Sequence, residues 1–259
     1  MLNSFVSGVI LGRPGNGKTH LARTLTPHNT LLVSAERPFG KSVKKYKGNA
    51  IFLDCWQDAK LIAALLGGER KDAYNNRNYT QERVDVAIAR FPEFSEWDKK
   101  NKIEHIYIDS LTSFSKLCTE HNKNVIYTQN GIDFRSVFSH YNADFMSWIT
   151  QLLRTERTSI WFSCSSDEKI DEFGNRIVQP IVDGSKIASE LISMVDEVFV
   201  LSVDENEKRT LITKSHILPA KDRSGQLAET ESAHLMGILK KIFNEGKNAT
   251  KDSNAISES

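Results

Sequence analysis

Residues 12–19 read Gly12-Arg13-Pro14-Gly15-Asn16-Gly17-Lys18-Thr19, which fits G-x-x-x-x-G-K-[ST]. Each residue type in that spacing has a chemical use. The glycines let the backbone turn tightly with φ values that other residues resist. Main-chain N–H groups then point inward, where they can cradle phosphate oxygens beside the first turn of a helix. Lys18 would reach the β- and γ-phosphates as a mobile point charge, and Thr19 would place its hydroxyl on Mg²⁺. Pro14 removes one donor but stiffens the loop. Arg13, Asn16 and His20 complete the candidate nucleotide-binding stretch.

A second piece of chemistry lies far downstream. Ile103 to Ser110 is an alternating apolar strand that ends in an acid, Asp109. Such an acid emerges beside the loop's Mg²⁺ and holds the ion together with Thr19. Hydrolysis also needs an acceptor that orients the attacking water. AAA+ ATPases usually carry a glutamate directly after that Asp, but Ser110 stands there. Ala35-Glu36, at the end of another apolar run, offers the substitute. The bland alternative for Glu36 is a surface carboxylate beside Arg37.

These groups need a scaffold. Val9-Ile10-Leu11 reads as a buried strand ahead of the loop, and Leu21 to Leu25 as the helix behind it. Strands are expected at 30–34, 50–53, 103–109 and 159–163. Helices are expected around 61–66, capped by Asp58 and stopped by Gly67-Gly68, and at 81–91, 111–119, 134–154 and 186–194. A short polar helix is expected after Pro92. Residues 69–80 and 120–133 read as polar loops, 165–184 as containing a hairpin that turns at 173–176, and 196–213 as a late hairpin around 205–207. A charged turn at 219–225 precedes a last helix near 232–243. Strands alternating with helices predict an α/β fold, a mostly parallel central sheet flanked by helices with a C-terminal antiparallel edge hairpin. Residues 1–245 read as one P-loop ATPase domain and 246–259 as a disordered Asn/Lys/Ser-rich tail.

Composition narrows the classes. The chain has 259 residues and a net charge of +1, so there is no global basic field for nucleic acid. Three cysteines, Cys55, Cys118 and Cys164, suggest free thiols in a reducing cytoplasm. No apolar run approaches the ~20 residues needed to span a bilayer. Cys118-Thr119-Glu120-His121 has no second pair at ligand spacing, which argues against zinc.

The order of features resembles the RecA core fold. It is most similar to phage-encoded RecA-like nucleotide-binding proteins that include the ATPase-type single-strand annealing proteins. The residues that carry this are the P-loop near the N-terminus with Leu21-Ala22 after it, Ala35-Glu36, Ile108-Asp109-Ser110-Leu111-Thr112, and Ala220-Lys221-Asp222-Arg223-Ser224-Gly225. The resemblance spans roughly residues 5–228 and implies a Mg-ATP hydrolase acting on single-stranded DNA, in the host cytoplasm if phage-encoded. It implies Glu36 as the catalytic glutamate with Lys18, Ser163 as a sensor of the γ-phosphate, and Lys186, Lys221 or Arg223 as a finger reaching a neighbour's ATP in a homo-oligomer. Ser163 departs from the Gln or His that such proteins often carry there. DNA contact would fall on Lys123 and Tyr127 in one loop and on Phe173 and Arg176 in another, with Lys169 beside them. The basic turn from Phe39 to Lys47 is a further candidate, and a single-strand-binding protein a further partner. Two other readings stay open, namely a nucleotide-gated interaction module of a replication or recombination complex and a small-molecule P-loop kinase.

Overall fold

Val9-Ile10-Leu11 forms the middle of strand β1 (Ser7–Gly12), where side chains alternate between two faces. Val9 and Leu11 enter one apolar layer and Ile10 the other. The computed structural model describes residues 5–36, 46–70, 79–128, 131–155, 158–170 and 176–244. After β1 come helix α1 (Lys18–Leu21), β2 (Thr30–Ser34), β3 (Asn49–Phe52), α2 (Trp56–Gly67), α3 (Gln81–Arg90) and α4 (Pro92–Asn101). Then follow β4 (His105–Asp109), α5 (Leu111–Ile126), β5 (Tyr127–Thr128), β6 (Gly131–Ile132), α6 (Phe134–Leu152), β7 (Ser159–Ile170) and β8 (Arg176–Pro180). The chain continues through α7 (Ser185–Met194), β9 (Glu197–Val203), β10 (Arg209–Ile212), β11 (Lys221–Asp222), β12 (Thr230–Ser232) and α8 (Leu235–Asn244).

The main sheet has the order β12-β10-β9-β1-β7-β4-β2-β3. From β9 to β3 every neighbouring pair is parallel. β10 pairs antiparallel with β9 at one edge, as the late hairpin predicts, and β12 adds a further antiparallel strand beyond it. β1 therefore lies between β7 and β9, the place where the chain changes direction across the sheet. In open α/β sheets, ligands sit beyond the strand C-termini at such a point.

One face of the sheet is covered by α2, α5, α6 and α7. Trp56, Phe114, Tyr141, Phe145 and Trp148 pack there, and the Phe114 and Trp148 rings lie 4.9 Å apart. The Trp148 indole donates to Ala59 O at 2.8 Å, so its one polar atom is satisfied. The other face carries Leu21, Leu25, Leu235, Ile238 and Leu239 against Ile10, Leu32 and Trp161. Gly8 has to be glycine because a Cβ there would lie 2.3 Å from the Trp161 ring.

Several expectations needed correction. The helix after the P-loop is a single turn, followed by a 3-10 turn at Ala22–Thr24 instead of a helix over 21–25. Thr24 Oγ1 accepts from Leu235 N and donates to Leu21 O, and Pro27 follows closely, so the chain leaves the helix early. Asp58 lies inside α2 and pairs with Arg90, while Cys55 holds the N-cap position. α5 runs on to Ile126, which converts much of the expected loop at 120–133 into helix. The other described residues of that stretch include the short antiparallel pair β5–β6. β12 was not foreseen, because three residues give too short an alternation to read.

Candidate functional site

The loop between β1 and α1 lies at the C-terminal edge of the sheet. Gly15 and Gly17 have φ of +86° and +95°, the left-handed region that favours glycine. Lys18 is 8% exposed, and its Nζ donates to Gly12 O at 2.7 Å and Arg13 O at 3.0 Å. Its ammonium thus folds back along the loop. Burial lowers its pKa, opposed in part by Cys164, Asp109 and Glu36. Tyr107 fixes the start of α1 by donating its hydroxyl to Lys18 O at 2.6 Å.

Asp109 ends β4 and is 1% exposed. Thr19 Oγ1 donates to its Oδ2 at 2.8 Å, and Ser163 Oγ donates to its Oδ1 at 2.5 Å. Burial raises the Asp109 pKa, the Ser163 bond opposes the rise most, and the Glu36 charge adds to it. The predicted sensor Ser163 is therefore bound to the acid. Its hydroxyl reaches Asp109 because β7 and β4 are neighbours in register, Ile108 opposite Phe162.

Glu36 follows β2 and is exposed. Ser110 and Ser113 each direct a hydroxyl to its Oε1 at 3.4 Å. Ala35 N donates to Asp109 O at 3.0 Å, so the ends of β2 and β4 are tied together. The parallel pair β2–β4, with Ser34 opposite Asp109, brings this glutamate to the acid across a long stretch of sequence.

Oxygen donors suit Mg²⁺, which favours carboxylate and hydroxyl groups plus water. Thr19 and Asp109 already converge on one another, and Asp109 is a buried carboxylate with two hydroxyl donors as its bonded partners among the described residues. The residues present fit that ion.

A family model described as an AAA domain matches residues 4–224. The chain belongs to this AAA-domain family of P-loop NTPases. The match spans the P-loop, Glu36, Asp109 and Ser163 of this AAA domain. No curated protein matches the chain. Among solved structures, it is similar to a prototypical ATPase from the type III secretion system of pathogenic bacteria, at 13% identity with a TM-score of 0.41. That likeness covers 76% of this chain and 52% of the other, so the chain spans about half of that ATPase's length.

The AAA domain disperses the remaining candidates. Lys123 lies on α5. Tyr127 belongs to β5 and Arg176 to β8, while Phe173 and most of the basic turn at 39–47 lie outside the described residues. Lys186 is exposed and pairs with Glu190 one turn along α7. Lys221 and Arg223 sit by the N-terminal end of β9, away from the P-loop, with β11 paired to Val198 and Glu197. Lys221 Nζ donates to Ile192 O and Val195 O, at the end of α7. Arg223 pairs with Asp196 at 2.9 Å.

Three contacts at the site have no local signal in the sequence. Arg13 bonds Glu168 of β7 at 2.6 Å, Asn16 Nδ2 donates to Leu201 O at 3.3 Å, and Arg209 Nε donates to Asn16 O at 2.9 Å. Only the register of β7, β9 and β10 beside β1 could have found them. Among the described residues no helix is long and apolar enough to cross a membrane.

Proposed function

We propose that the chain binds Mg-ATP in the loop at 12–19 and hydrolyses it, with Glu36 orienting the attacking water. The observation that carries this reading is the Glu36 carboxylate beside Asp109, held by the Ser110 and Ser113 hydroxyls. In this assignment Gly12, Arg13, Pro14, Gly15, Asn16, Gly17, Lys18, Thr19 and His20 bind the nucleotide. Lys18 leaves the Gly12 and Arg13 carbonyls to neutralise β- and γ-phosphate charge. Thr19 and Asp109 hold Mg²⁺, which when bound neutralises charge developing on the phosphoryl oxygens. Ser163 keeps Asp109 ionised and aimed.

The substrate polymer in this proposal is single-stranded DNA, in phage-type recombination or annealing. The resemblance of the motifs supports it. So does the overrun of β7, which continues past Ser165, its last residue paired to β1 (opposite Gly12), into a hairpin with β8. That hairpin carries Lys169 and exposed Ile170 and Ile177, and it is joined to the P-loop through Glu168 and Arg13. Lys123, Tyr127, Phe173 and Arg176 would supply further contacts. Assembly would be homo-oligomeric, in the cytoplasm of a host cell, with a single-strand-binding protein as partner. A finger in trans would come from Lys186, Lys221 or Arg223, and the Lys221 ammonium would first have to leave two carbonyls.

The test is ATP turnover with and without single-stranded DNA at low salt, for the natural chain, Lys18→Ala and Glu36→Gln. The expected result is DNA-stimulated turnover, loss of nucleotide binding in Lys18→Ala, and ATP binding without cleavage in Glu36→Gln. A rate loss on the order of 10²–10⁴ fits removal of a general base. Normal cleavage by Glu36→Gln removes that residue from the mechanism. Turnover indifferent to DNA removes the recombination role and leaves a nucleotide-gated interaction module.

A further inference from the structure

Arg209 lies on β10, and its guanidinium rests on the apex of the P-loop. Its Nε donates to Asn16 O at 2.9 Å. A Cβ built on Gly17 would lie 2.8 Å from that Nε and 3.5 Å from the guanidinium carbon. Asn16 C=O and Gly17 N–H belong to one planar peptide, so in the trans form the two point in opposite directions. A carbonyl held outward by Arg209 turns the Gly17 N–H toward the inside of the loop, where P-loop amides cradle the α- and β-phosphates.

We propose that Arg209 is a positioning residue for the nucleotide's diphosphate, acting in cis through the Asn16–Gly17 peptide. A charge-assisted hydrogen bond to the carbonyl polarises the peptide and strengthens its N–H as a donor. The need for such help follows from the shape of α1. A helix of one turn contributes little macrodipole, so the cradle's field comes from individual amides and nearby cations. Lys18 supplies one cation from inside the loop, and Arg209 supplies the second from outside it. Among the described residues, the terminal nitrogens of Arg209 pair with no carboxylate. Asn16 Nδ2 bonds Leu201 O at 3.3 Å, which fastens the same apex to β9. The β9–β10 edge thus holds the loop at two points, and only the Arg209 point is charged.

This inference rests on the nucleotide-binding reading above. Because the peptide serves phosphates that ATP and ADP share, it concerns affinity for both and leaves the cleavage step to Glu36. The experiment measures ADP and ATP binding and steady-state turnover for the natural chain, Arg209→Ala and Arg209→Gln. Thermal melts of each variant run alongside. Gln can donate a neutral hydrogen bond to Asn16 O but brings no charge. The expected result is a Kd raised roughly fivefold to tenfold for both nucleotides in both variants, with kcat kept within about twofold; this is less than a direct charged hydrogen bond would give, because the contact is exposed and acts on the phosphates through the peptide. Millimolar guanidinium should restore part of the affinity of Arg209→Ala. Wild-type affinity in Arg209→Gln overturns the proposal, because a neutral latch then suffices. Wild-type affinity in Arg209→Ala does so as well. A fall in kcat with unchanged Kd also overturns it. A natural chain that binds neither nucleotide defeats the P-loop reading itself, which separates the two failures.

Discussion

Ser163→Ala isolates one bond at the heart of the site. The Asp109 carboxylate is 1% exposed and, among the described residues, accepts from the Thr19 and Ser163 side chains. Burial already pushes its pKa up, and the Ser163 hydroxyl is the strongest opposing influence. A hydrogen bond to a charged group contributes about 1.5–3 kcal/mol. Losing that bond therefore raises the Asp109 pKa further, because burial then acts with less opposition. In the proposed Mg²⁺ site only the ionised carboxylate would hold the ion, so Mg²⁺-dependent nucleotide binding should be lost at a higher pH in the variant as pH drops. Stability moves in the matching direction. A carboxyl whose folded pKa is raised contributes stability that is full below its unfolded value and lost as pH rises through the folded one. The Ser163→Ala variant should therefore lose most stability at alkaline pH and least in acid. The assay is binding of a fluorescent ADP analogue with and without Mg²⁺ from about pH 5 to pH 9, with melts at each pH. Profiles of variant and natural chain that superimpose refute the argument, since the hydroxyl would then not be what keeps Asp109 charged.

Two other outcomes can be checked on the fold. Burial, together with Asp222 and Asp196, raises the Glu197 pKa from 4.5 to about 8; stability should fall as pH rises from about 4.5 to about 8, and Glu197→Gln should flatten the melts across that range. Trp148 is fully buried among Trp56, Phe114 and Phe145 and donates to Ala59 O, so Trp148→Ala should cost about 3–5 kcal/mol in urea unfolding.

The sequence reveals most where neighbouring residues share a task. The P-loop is legible because its glycines, Lys18 and Thr19 must stand at fixed spacing on one turn of chain. Asp109 is legible because an alternating strand delivers it, and the hairpin β9–β10 because its turn is polar and its strands are not. The helix after the loop was overread, since Leu21 to Leu25 has helical composition while Thr24 and Pro27 divert the backbone. The polar stretch after Thr119 was underread, because its charges mark a solvated helix face as readily as a loop. Contacts that shape the site across the sheet left no local trace. Arg13 meets Glu168 across 155 positions and Arg209 meets Asn16 across 193. Strand order and register decide those meetings, and no window of sequence contains either.

β7 is a single strand of twelve residues with two duties. Its first part floors the site beside β1, and its second part is one leg of the hairpin with β8. Successive residues of a strand face opposite sides. Removing one residue between Ser163 and Glu168 would turn Glu168 away from Arg13 while leaving Ser163 on Asp109. Removing two would restore the facing but draw the hairpin back by about 6–7 Å. The reach of the hairpin beyond the nucleotide loop is thus set in steps of two residues. Grafts or natural variants that lengthen or shorten this leg should keep their Arg13 contact only when the change is even and Glu168 is supplied again at the matching position.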